Sequence, residues 1–152
     1  MVTVMASGVF DLIHLGHVHY LEEAKKLGDE LVVVVARDST ARKEKHEPIT
    51  PEEFRRDLVE SLKPVDRAVL GGEGDMFKIV EELKPDIIAL GYDQYHDAER
   101  MEAELKKRGL ETKVVRLTEL NGDLDGTRKI IRKVVDWFSA SEKLRKAEEG
   151  DE

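Results

Sequence analysis

The sequence contains no cysteine, which excludes a disulfide framework, a thiolate nucleophile and any cysteine-ligated metal. Long apolar runs are missing as well: none approaches the roughly 18–20 residues of a membrane-spanning helix. The N-terminus has a short apolar stretch, but no basic flank leads into a longer hydrophobic segment, so a secretory signal is not expected. An excess of positive charge is also absent. The net charge of −8 argues against a general nucleic-acid surface or an anionic-membrane surface. An anionic ligand must therefore meet a local positive site on an acidic protein, and a cytoplasmic enzyme or binding protein is the expectation.

What is present suits one globular domain. The 152 residues are 40% hydrophobic and 38% charged, enough apolar material for a real core under a heavily solvated surface. No internal repeat or second domain is visible. Val2–Ala6 and Leu31–Ala36 are short apolar runs, the second continuously apolar with β-branched valine at 32–35, as expected of strands covered on both faces. Arg67–Leu70, Ile87–Leu90 and Lys113–Leu117 read as three further strands. Helices are expected between them: His17 to Leu27 ending at Gly28, Pro51 to about Leu62, Met76–Leu83, and Ala98–Arg108 closing at Gly109. The second of these has Thr50 as cap and Glu53 as partner in a capping box. A last helix runs from Thr127 to about Phe138. The folded domain is thus read as residues 1–138, and 139–152 as a charged, frayed or solvated C-terminal tail. Strand and helix alternate five times, the signature of a doubly wound, Rossmann-like α/β domain with a parallel sheet of about five strands. Ligands in such folds sit at the carboxyl ends of the strands, so the loops after the first, fourth and fifth strands carry the candidates.

The loop after the first strand stands out: Gly8-Val9-Phe10-Asp11-Leu12-Ile13-His14-Leu15-Gly16-His17. A glycine-bearing loop running into a helix start offers backbone N–H groups and a positive helix end to one spot, which suits phosphate. Gly8 permits a sharp turn or a close approach to a ligand. His14 and His17 can add ring donors to phosphate oxygens. Two other readings compete: a structural histidine at a helix start, and a metal site of Asp11, His14, His17 and His19. The histidine spacing fits a standard zinc site poorly.

Three weaker signals follow. Gly126, Thr127 and Arg128, with Lys129 behind them, open the last helix and could bind phosphate or form an ordinary capped helix. Gly91-Tyr92-Asp93-Gln94 follows the fourth strand, where Asp93 and Gln94 could bond a base or sugar. Lys43, Lys45 and His46 lie in the long loop after the second strand, with Glu44 and Glu47 interleaved, as phosphate ligands or solvated charges. Arg55 and Arg56 sit in the first turn of a helix, where cations are unfavourable without an acid or an anionic ligand nearby. Arg55 is a candidate for the phosphate loop, and pairing with Glu52 or other acids is the alternative.

The pattern G-x-F-D-x-x-H-x-G-H resembles the signature of the cytidylyltransferase-like nucleotidyltransferases. Within that family the chain is similar to archaeal FAD synthases over roughly residues 2–135, notably in Leu31–Ser39, Pro51–Asp66 and Lys84–Gln94. It departs from them in lacking cysteines toward the C-terminus, and its Gly126-Thr127 segment matches the family motif there only in part. The resemblance implies that His14 and His17 hold the nucleotide's phosphates and stabilise the transition state. It further implies nucleotide contacts at Gly8, Val9, Phe10, Asp11, Gly16, Gly91, Asp93, Gln94, Thr127 and Arg128. The reaction implied is transfer of AMP from ATP to FMN with release of pyrophosphate, aided by a divalent cation such as Mg²⁺ bridging the phosphates, with Phe10, Tyr92 and Tyr95 as aromatic contacts for a flavin. CTP with glycerol 3-phosphate, a sugar 1-phosphate acceptor and a non-catalytic nucleotide-binding module stay open as alternatives. Small-molecule partners, no nucleic acid or membrane, and the homodimer common among relatives complete the expectation.

Overall fold

The computed structural model describes residues 1–44, 46–92, 94, 96–118 and 127–150. Along them run β1 (Thr3–Gly8), α1 (Leu15–Lys25), β2 (Glu30–Val35), α2 (Asp38–Glu44), α3 (Glu52–Glu60) and β3 (Arg67–Leu70). Then come α4 (Phe77–Leu83), β4 (Ile87–Leu90), α5 (Ala98–Lys107), β5 (Lys113–Arg116) and α6 (Thr127–Gly150). The strands pair in parallel in the order β3-β2-β1-β4-β5. This is the doubly wound α/β sheet the sequence predicts, with its order reversing between β1 and β4.

Strand periodicity divides the core in two. Val4, Ala6, Leu31, Val33, Val35, Ala68 and Ala89 point to one face, where Leu21 and Ala24 of α1 and Val59 of α3 cover them. Met5, Val34, Ile88, Leu90 and Val114 point to the other, under Val80 of α4 and Met101 and Leu105 of α5. Because both faces are covered, the central strands read as unbroken apolar runs.

Three expectations about elements change. The long polar loop after β2 contains a short helix, α2, whose only buried side chain is Ala41; one apolar position in seven leaves no periodic signal. Thr50 does not cap α3. The N-cap is Pro51, without a side-chain bond, because the Thr50 hydroxyl donates to Asp11 Oδ1 at 2.7 Å instead. Residues 139–150, expected as a frayed or solvated tail, are helical and largely exposed: α6 continues through them to Gly150, with an i,i+3 pair between Glu142 and Arg145 at 2.9 Å. Gly109 does stop α5 as expected, at φ +81°.

Candidate active site

The carboxyl ends of β1 and β4 face the point where the strand order reverses, the ligand position of open α/β sheets. The histidine loop leaves β1 there. Phe10 and Leu12 both take left-handed backbone angles, φ 56° and 52°, which cost energy for side chains of this size. Burial of Phe10 and the bonds of Asp11, between them, offset that cost. Phe10 is 3% exposed, and its ring folds back over Gly8, where an added Cβ would come within 3.0 Å of it. The glycine therefore leaves room for an aromatic ring of its own chain. For the same reason Phe10 has no exposed face to offer a flavin.

His14 is the N-cap of α1. Its Nδ1 accepts the Gly16 N–H at 3.1 Å, and His17 Nδ1 accepts the His14 N–H at 3.3 Å. The two rings stack with centroids 3.8 Å apart, and His17 rests against Phe10 at 5.3 Å. An imidazole whose Nδ1 accepts a hydrogen bond carries its proton on Nε2 when neutral. Both rings are thus set as Nε2–H donors, the form that can serve a phosphate oxygen. Metal ligation through Nε2 would require a ring with no proton at either nitrogen, so the geometry disfavours the metal reading. The helix start is also less open to phosphate than expected, since the Gly16 N–H is spent on His14.

Asp11 is 5% exposed. It accepts from Ile49 N at 2.7 Å, Thr50 N at 3.1 Å and the Thr50 hydroxyl. Burial pushes its carboxyl up, but these bonds and the positive charge of Arg55 outweigh it, and the pKa lies below the usual value of 3.8. Arg55 is fully buried. It donates to the carbonyls of Thr50, Val9 and Ala36 at 2.7–2.9 Å and pairs with Asp38 at 2.6 Å. This overturns its reading as a phosphate ligand: its donors tie the loops after β1 and β2 together from inside. Its ion-pair partner is Asp38, not Glu52, which pairs with Arg37 at 3.1 Å. Arg56 bridges Asp57, Glu60 and the Ala68 carbonyl.

After β4, the Gly91 N–H donates to Gln94 Oε1 at 2.8 Å and Gln94 Nε2 donates to the Ser7 carbonyl at 3.0 Å. Gln94 thus bonds backbone with both ends of its carboxamide. Arg116, at the end of β5, donates to the carbonyls of Gly91 and Gln94 at 3.0 and 2.8 Å and also to that of His96. The Tyr20 hydroxyl lies between Ser7 N and the Ala89 carbonyl, at 3.2 and 2.5 Å. Sequence reading missed Arg116 and Tyr20. Tyr20 falls on the apolar face of α1, and the need of a buried hydroxyl for a partner was the available signal.

The structure thus gathers Phe10, Asp11 and His14 of the loop after β1 with Gly16 and His17 in the first turn of α1, held to the β2 side by Arg55, at the same end of the sheet as Gly91 after β4. Lys43 is exposed on α2, Tyr92 is 49% exposed after β4, and Arg128 is exposed in the first turn of α6. Lys45, Asp93, Tyr95 and Gly126 lie outside the described residues, as does the side chain of Thr127. No group of three or more His, Cys, Asp or Glu among the described residues could hold a metal ion, and no helix among them is long and apolar enough to cross a membrane.

Comparison with known proteins agrees with this architecture. The cytidylyltransferase-like family matches residues 5–146. The chain is 64% identical to the FAD synthase of Aciduliprofundum boonei, over 90% of this chain and 92% of that one. It is 54% identical to the FAD synthase of Thermoplasma volcanium, over 90% and 96%. Among solved structures it is similar to the lipopolysaccharide core biosynthesis protein of Thermoplasma volcanium, with TM-score 0.78 and 58% identity, over 80% of this chain and 99% of that one. A pantoate-beta-alanine ligase from Francisella tularensis shares the fold alone, at TM-score 0.56 and 12% identity, over 80% of this chain and 60% of that one.

Proposed function

The chain belongs to the cytidylyltransferase-like family, and on that premise we propose that it is an FAD synthase, transferring AMP from ATP to FMN. The observation that carries this choice is the 64% identity to an FAD synthase across nine-tenths of the chain. Nucleotidyl transfer itself is supported by the stacked histidine pair.

An oxygen of the FMN phosphate attacks the α-phosphorus of ATP. The new P–O bond forms as the bond from the α-phosphorus to the bridging oxygen breaks, and pyrophosphate leaves with the electron pair. No general base is needed, because the second pKa of a phosphate monoester is about 6 and the nucleophile is already ionised at neutral pH. Catalysis then consists of positioning and of stabilising charge on the transferring group. His14 and His17 do this as Nε2–H donors to the α-phosphate and bridging oxygens. The described carboxylates build no cation cage. A divalent cation, Mg²⁺ in this reading, would come with the triphosphate as part of the substrate and supply neutralising charge.

Gly91 and Asp93 are proposed for the nucleoside, with Thr127, Arg128, Lys43 and Lys45 for the outer phosphates. A homodimer is proposed as well. Phe54 and Leu58 on α3 and Val134, Trp137 and Phe138 on α6 are apolar and exposed, and a second copy would cover them; sedimentation analysis tests this. A cytoplasmic location is in keeping with use of ATP and a cysteine-free chain.

The deciding experiment offers ATP or CTP together with FMN, glycerol 3-phosphate or a sugar 1-phosphate, and reads pyrophosphate release. Turnover is expected with ATP and FMN. Turnover only with another pair, or none, overturns the FAD synthase reading.

A further inference from the structure

The ladder between β1 and β4 stops one bridge short at the place where the strand order reverses. It pairs Val4 with Ile87, Met5 with Ile88 and Ala6 with Ala89. Yet β1 goes on to Gly8 against β2, and β4 to Leu90 against β5. The next parallel bridge would join Ser7 to Leu90. In a parallel ladder it would consist of two bonds, Ser7 N–H to the Ala89 carbonyl and Gly91 N–H to the Ser7 carbonyl.

These four backbone groups are satisfied, but through side chains. The Tyr20 hydroxyl accepts from Ser7 N–H and donates to the Ala89 carbonyl. The Gln94 carboxamide accepts from Gly91 N–H and donates to the Ser7 carbonyl. One side chain is inserted into each bond of the missing bridge. The strands are parted by the width of a hydroxyl and of an amide without leaving a polar group unpaired, which a buried crevice floor requires.

We propose that Tyr20 and Gln94 are positioning residues for nucleotidyl transfer: together they wedge β1 from β4 and set the width of the crevice that admits the nucleotide. This rests on the nucleotidyltransferase reading above. The wedge is braced on both sides. The Tyr20 ring lies nearly parallel to Phe10, 14° apart with centroids at 6.5 Å, and Phe10 in turn carries His17. Gln94 is held from behind by Arg116, which binds both its carbonyl and that of Gly91. A change in strand separation would therefore move the histidine loop relative to the Gly91 loop, and displacements near 1 Å are enough to weaken binding and rate severalfold.

The test uses Tyr20→Phe, Gln94→Leu and the double variant in the full chain. ATP binding is measured by calorimetry without acceptor, and KM and kcat for ATP with FMN are measured separately. Scalar coupling across hydrogen bonds, from Gly91 N to the Ser7 carbonyl carbon, reports whether the direct bond has formed. The double variant is expected to show that coupling, with Kd and KM for ATP raised about tenfold, a smaller fall in kcat and a thermal midpoint little changed. Kd and KM for ATP within twofold of wild type in both single variants overturn the proposal. So does a closed Ser7–Leu90 bridge with unaltered ATP binding. If the double variant does not fold, the single variants decide. A wild type that binds ATP but makes no FAD refutes the choice of FMN, while the ATP binding comparison still judges the wedge.

Discussion

The imidazoles of His14 and His17 lie face to face, centroids 3.8 Å apart, and each turns its Nδ1 to a backbone N–H of the same helix start. The helix that the rings cap is also what fixes their tautomer. In the proposed mechanism, structural and catalytic roles are joined in one pair: Nδ1 holds the backbone, and Nε2 is left to carry the proton offered to phosphate. A donor fixed before substrate arrives costs no reorganisation in the transition state.

Replacing His17 by alanine removes one such donor. A fall in kcat on the order of 10²–10³ is expected, with the far-ultraviolet circular dichroism of the folded protein retained. An unchanged kcat in a folded variant would reduce His17 to a helix cap.

Arg55 is expected to behave as a structural residue. Arg55→Met leaves the half-buried Asp38 without its partner and strands the carbonyls of Val9, Ala36 and Thr50, a loss of about 3–5 kcal/mol by analogy with broken buried pairs and networks. Arg55→Lys should recover only part of it, because an ammonium cannot reproduce the fork that reaches four oxygens. Urea unfolding measures both. Full stability with activity lost would restore the phosphate-ligand reading.

Asp11 gives the protein a specific acid sensitivity. Its carboxyl is held below the usual 3.8 by the hydrogen bonds of Ile49 and Thr50 and by Arg55, against the opposing push of burial. A depressed folded-state pKa means that the ionised form stabilises the fold above about pH 4, and that this contribution is lost as pH falls through the folded pKa. Asp11→Asn is therefore expected to be less stable than wild type at pH 7, with the gap narrowing below pH 4. Thermal midpoints of both proteins from pH 2.5 to 7 check this; a gap independent of pH contradicts it.

Gly8→Ala probes the seat of Phe10. The new methyl would meet the ring at 3.0–3.1 Å, forcing Phe10 and with it His17 to shift. Overpacking of this kind costs about 1–3 kcal/mol, and kcat should fall together with the thermal midpoint. Retention of both would show that Phe10 moves without consequence for the histidines.

Much of the architecture was legible because it rests on local pattern. Leu31–Val35 is apolar at every position, which only a strand covered on both faces tolerates in so short a run, and the sheet came out parallel as that implies. The histidine loop was legible from residue types and spacing. The errors share a cause. Thr50 has the features of a helix cap, yet its hydroxyl was claimed by Asp11, 39 residues away in sequence. Arg55 at a helix start was a candidate phosphate ligand or a partner of Glu52, yet it was drawn inside by three carbonyls and by Asp38 at the start of α2. Gln94 was expected to face a ligand and joins two strands instead.

By itself, then, the sequence determined the alternation of strands and helices, the parallel sheet and the presence of a glycine- and histidine-bearing loop at the carboxyl end of the first strand. These depend on periodicity and on chemistry carried within ten or so neighbouring residues. The tertiary structure alone decided which distant polar groups meet: the burial of Arg55, the clamp on Asp11 and the bonds of Tyr20 and Gln94 between β1 and β4. Each of those depends on a hydrogen-bond partner, and a buried polar group takes whichever partner the fold brings within about 3 Å, a distance that sequence separation does not encode.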